Sequence, residues 1–104
     1  IVLDDTINWE SLQIEVVQHL ESLIQIQTVR KDEHKAAFYL QKVFMKEGIP
    51  SKIIPHPKYP DKVSVLAELG PDQSTEGVIL LNHLDVVEAD LKEWGSDPFL
   101  GQLK

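Results

Sequence analysis

Apolar positions recur at helical spacing in the first quarter of the chain. Trp9, Leu12, Val16, Leu20, Leu23 and Ile24 fall three or four apart, with Glu10, Gln13, Gln18, Glu21 and Gln25 mostly on other faces. That spacing predicts a helix over residues 9 to 27. Asn8 is placed to cap its start, and Ile14, Val17 and Ile26 widen the apolar stripe. Thr28 to Asp32 is polar and reads as a loop. A second helix is predicted from about Glu33 to Glu47, with Ala36, Ala37, Leu40, Val43 and Phe44 as its buried face. Asp32 is its candidate cap, Gly48 the left-handed residue that ends it, and Pro50 bars continuation.

The period then changes from helix to strand. Lys52-Ile53-Ile54 predicts a short strand, and His56 to Asp61 a turn-rich connection. Val63, Val65, Ala67 and Leu69 alternate with Ser64, Leu66 and Glu68, the pattern of a half-buried strand antiparallel to the first. Gly70 to Gly77 reads as a loop. Val78-Ile79-Leu80-Leu81-Asn82 is apolar on both faces and predicts a central strand covered by helices on both sides. The order helix, helix, strand, strand, strand predicts an α/β fold, with helices packed on a mixed sheet.

The third predicted strand ends in chemistry. His83 and Asp85 are two apart and share a face if the strand continues through them. A carboxylate beside an imidazole can take the proton of one ring nitrogen and leave the other for a metal. Open α/β sheets also bind ligands at the carboxyl ends of their strands. Taken alone, the pair better fits a strand end where an exposed aspartate caps a turn and a histidine packs.

Leu80-Leu81-Asn82-His83-Leu84-Asp85-Val86-Val87, followed by Trp94 and Asp97-Pro98-Phe99-Leu100-Gly101, resembles the first metal motif of a zinc hydrolase family. That family includes acetylornithine deacetylase, succinyl-diaminopimelate desuccinylase, aminoacylase and glutamate carboxypeptidase. Its pattern is an apolar strand, Gly-His-x-Asp-Val-Val-Pro, a spacer, then Trp-x-x-Asp-Pro-Phe-x-Gly. The upstream run from Leu23 to Val29, a second helix and Gly48-Ile49 follow a similar order, so the resemblance spans roughly residues 10 to 101. Asn82 stands where glycine is common and Glu88 where proline is common.

The resemblance implies a zinc-exopeptidase-like catalytic domain with a mostly parallel sheet. It makes His83 a metal ligand and Asp85 the catalytic-site acid that orients it. It further implies two zinc ions per site (cobalt or manganese being alternatives) and hydrolysis of an amide bond in a small N-acyl amino acid or short peptide. A homodimer is implied for the complete enzyme. The bridging aspartate, the later glutamate and histidine ligands and the general base of the pattern have no counterpart in residues 1 to 104. The chain is therefore expected to be the N-terminal portion of the catalytic domain, without the inserted dimerisation domain and inactive alone. The alternatives are a complete small binding or assembly module whose histidine is structural, and a family member that has lost its metals.

The remaining candidates carry blander expectations. His19 reads as a surface or packing residue, His34 as solvated and His56 as a loop residue. Trp94 and Phe99 are expected to anchor their loop, Asp97 to form a turn, and Glu88, Asp90 and Glu93 to be solvated.

Composition narrows the classes. The 104 residues are 42% hydrophobic and 26% charged, as in ordinary globular proteins. A formal net charge of −7 opposes binding to phosphate backbones, so nucleic acid is not an expected partner. With no cysteine there is neither a disulfide nor a thiolate metal site, and any zinc falls to His, Asp and Glu. The apolar runs are too short for a membrane span, and no signal-peptide pattern opens the chain. The cytoplasm is the expected location.

Overall fold

The computed structural model describes residues 6–70 and 76–102. They divide into two compact units, one built from residues up to Ile26 together with those from Asp90 onward, the other from Gln27–Ala89.

In the first unit the main element is helix α1, Trp9–Gln25. Asn8 caps it as expected: its Oδ1 accepts the Ser11 backbone N–H at 3.0 Å, satisfying one of the first-turn donors. Trp9, Leu12, Val16 and Leu20 are exposed, and no residue of α1 is buried. A short 3-10 turn, Leu91–Glu93, starts where the Asp90 carboxylate accepts the Lys92 N–H. Gly101 comes close to the α1 backbone. At φ 66° it occupies the left-handed region, and a Cβ there would lie 3.1 Å from Glu21 Cα and O. Gln25 Nε2 donates to Leu100 O at 2.9 Å beside it.

The second unit holds helix α2, Glu33–Lys46, and strands β1, Ser51–Pro55, and β2, Val63–Ala67. Gly48 ends α2 with φ 71°, as the sequence predicted. Gly48 N–H donates to Met45 O and Ile49 N–H to Phe44 O, so the paired bonds of a glycine-terminated helix use carbonyls that the helix leaves free. Asp32 departs from expectation. It sits at the cap position with φ 65° and makes no side-chain cap bond. Its carbonyl accepts from Lys35 N–H instead, and its carboxylate lies 3.6 Å from Lys35 Nζ.

Strands β1 and β2 are antiparallel, with Ile53 opposite Val65 and Ser51 opposite Ala67. Alternation leaves Ile53, Val63, Val65 and Ala67 half-buried, while Lys52, Ser64 and Leu66 are exposed. Helix α2 packs on both strands. Ala36 and Ala37, at 2% and 0% exposure, are the buried apolar contacts of this unit, because small side chains let the helix lie close to the sheet.

Val78–Asn82 corrects the expectation of a covered third strand. The segment carries no strand pairing, and Val78, Ile79, Leu80 and Leu81 are 85–90% exposed. An extended segment becomes a central strand only when neighbours take its N–H and C=O groups and layers cover both faces. Among the described residues neither is supplied. The only parallel pairing described is a single bridge, Val29 to Val86. Pro71–Thr75, most of the loop expected before this segment, lie outside the described residues. Among the described residues no helix is long and apolar enough to cross a membrane.

Candidate metal centre

The segment carrying His83 and Asp85 is held by the loop that follows α1. Thr28 is the pivot. It is 2% exposed, and its Oγ1 donates to Leu84 O at 2.8 Å. Its carbonyl accepts from Val86 N–H at 3.4 Å, beside the Val29–Val86 bridge. Two residues further along each segment, the Arg30 guanidinium lies 3.2 Å from Glu88 Oε1. Arg30 and Asp32 both have positive φ, at 61° and 65°, a conformation that costs an L-residue on the order of 1–2 kcal/mol. Lys62 offsets that strain from the hairpin side. Its Nζ donates to Arg30 O at 2.9 Å and to Glu33 Oε1 at 2.5 Å.

His83 and Asp85 meet, although the strand that was expected to put them on one face does not continue through them. His83 Nδ1 lies 2.7 Å from the Asp85 backbone carbonyl and 3.3 Å from its Oδ1. A carbonyl oxygen only accepts, so Nδ1 carries the proton and donates. One proton makes one strong bond, and the shorter distance assigns it to the carbonyl. The carboxylate, expected to be the orienting group, is the secondary one. The ring itself is 83% exposed, and among the described residues Nε2 has no hydrogen-bond partner.

This pair fits one coordination position. A zinc-bound histidine commonly donates its other ring N–H to a carboxylate or a backbone carbonyl, and Asp85 offers both. A whole centre is a different matter. Catalytic zinc takes about three protein ligands plus an open position. Among the described residues no group of three His, Asp or Glu side chains could hold a metal ion.

The other histidines serve the fold. His19 lies 3.5 Å from Glu15 one turn away on α1. His56 is a loop residue, as predicted. Its Nδ1 accepts from the Lys58 and Tyr59 backbone N–H groups, and its ring sits 5.2 Å from that of Tyr59. His34 was expected to be solvated, yet its Nδ1 is buried without a hydrogen bond and its ring meets Phe38 edge-on at 6.0 Å. His34 is half-buried on α2 beside the exposed Phe38, a placement that charge and position in the sequence did not indicate.

Asp97 forms the turn expected of it, its carboxylate accepting from Phe99 N–H at 2.9 Å. Phe99 is half-buried, but Trp94 is 54% exposed and does not anchor its loop as expected. Glu88, Asp90 and Glu93 are exposed, as expected, with Glu88 paired to Arg30. Sequence reasoning missed Thr28. Its hydroxyl's partner, Leu84, is 56 residues away, and a lone threonine after a helix carries no signal of it.

No family model, curated protein or solved structure matches the chain.

Proposed function

We propose that this chain supplies the first ligand histidine of a zinc-dependent amidohydrolase or exopeptidase that cleaves small N-acyl amino acids or short peptides. One observation carries the reading: His83 Nδ1 lies 2.7 Å from the Asp85 backbone carbonyl, and the ring is 83% exposed. The motif resemblance from Leu80 to Gly101 supports it. The described residues then belong to a zinc-exopeptidase-like α/β domain, and the remaining ligands and the general base lie outside them. The enzyme works as a homodimer in the cytoplasm, a location compatible with a chain free of cysteine.

His83 would hold the metal through Nε2, and Asp85 would orient the ring. Bound zinc supplies a Lewis acid and an activated water. Before that, this chain's own contribution is to keep the imidazole in one tautomer and one orientation, so that little ordering remains when a ligand position is filled.

A second reading, a non-enzymatic binding module, is favoured by the exposure of Val78–Leu81. Zn2+ titration followed at the four histidine rings separates the two. The hydrolase reading expects weak binding that shifts His83 alone and disappears in His83→Ala. An unmoved His83 ring, or equal shifts at His19, His34 and His56, refutes it.

A further inference from the structure

Thr28 touches both sides of the peptide chain between His83 and Val86, and the consequence is geometric. Its carbonyl takes Val86 N–H and its hydroxyl takes Leu84 O. The peptide unit joining Asp85 to Val86 is planar and trans, so its N–H and C=O point to opposite sides. With Val86 N–H turned toward Thr28, Asp85 C=O faces away from it. That is where it meets His83 Nδ1, at 2.7 Å. The hydroxyl bond to Leu84 O fixes the preceding peptide plane and prevents the segment from swivelling between the two. Thr28 is buried at 2%, which limits the access of water to its side of these bonds.

We infer that Thr28 is a positioning residue that sets the tautomer of His83, holding the proton on Nδ1 through the Asp85 main chain and leaving Nε2 as the free lone pair. A histidine free in water favours the opposite tautomer, with the proton on Nε2, so the clamp has work to do. The Asp85 side chain is secondary in this device. The tautomer assignment stands on the geometry alone. Its value for binding a metal rests on the hydrolase reading.

The test uses the full chain, 15N-labelled on histidine, at about pH 8, where an ordinary imidazole is neutral. Ring nitrogen shifts and couplings report the tautomer. Wild type is expected to be mainly Nδ1–H at His83. Thr28→Val, which keeps the shape and loses the hydroxyl, is expected to lower the Nδ1–H to Nε2–H ratio about tenfold, while Thr28→Ser restores it. Asp85→Ala is expected to keep the Nδ1–H tautomer, because the carbonyl remains. Since Asp85 is exposed, that variant separates its carbonyl from its carboxylate; should Thr28→Val fail to fold, Thr28→Ala removes the same hydroxyl and is read for the same fall in the Nδ1–H to Nε2–H ratio. A ratio unmoved by Thr28→Val in a folded protein, or Nδ1–H lost in Asp85→Ala, overturns the inference. Zn2+ alone is then added. Weakening of roughly 10- to 100-fold in Thr28→Val supports the coupling to metal binding. A wild-type His83 that shows the expected tautomer but ignores Zn2+ sinks the hydrolase reading and leaves the role of Thr28 intact.

Discussion

Lys62→Ala tests whether the hairpin holds the loop that positions His83. Lys62 Nζ bonds Glu33 Oε1 and Arg30 O, and removing it strands both acceptors. Glu33 is the costlier loss. Its side chain is 10% exposed, and its Oε2 already lacks a partner. A fully exposed pair is worth about 0–1 kcal/mol. Removing one member of a fully buried pair costs about 3–5 kcal/mol. Lys62 is 45% exposed, so solvent screens part of the interaction and the expected loss lies between these limits, at about 2 kcal/mol. Urea unfolding followed by far-UV circular dichroism measures it. Trp9 and Trp94 lie outside the unit that contains Lys62, so their fluorescence is the wrong probe. Glu33→Gln removes the stranded charge. In that background Lys62→Ala should cost at least about 1 kcal/mol less, a coupling typical of residues in one network. A loss under about 0.5 kcal/mol with no coupling would refute the reasoning.

Two further substitutions probe places where sequence and structure diverge or meet closely. Ile79→Asp is expected to change stability by no more than about 0.5 kcal/mol, because Ile79 is 87% exposed. A loss above about 2 kcal/mol in urea unfolding would put Ile79 back in a covered strand. Gly101→Ala combines a left-handed backbone with a Cβ 3.1 Å from the Glu21 backbone. It is expected to cost about 2 kcal/mol and to release the Gln25–Leu100 bond, most of it from the positive φ. Unfolding monitored by Trp94 fluorescence checks this, and an unchanged midpoint contradicts the close approach.

Local pattern was enough for the elements whose interactions are local. Helix α1 and its Asn8 cap, the end of α2 at Gly48, the pairing of β1 with β2 and the Asp97 turn are all legible in the sequence. Each depends on bonds between near neighbours or on an alternation that one strand displays alone. What the sequence could not decide is what covers an apolar run and which distant group closes a loop. Val78–Leu81 reads as a buried strand by composition, yet burial is a property of neighbours, and the described residues provide none. Thr28 carries no mark of its bond to Leu84, and Asp85 none of its carbonyl outranking its carboxylate. Those outcomes depend on the direction of peptide planes brought together across 56 residues of chain, a relation that only the folded backbone contains.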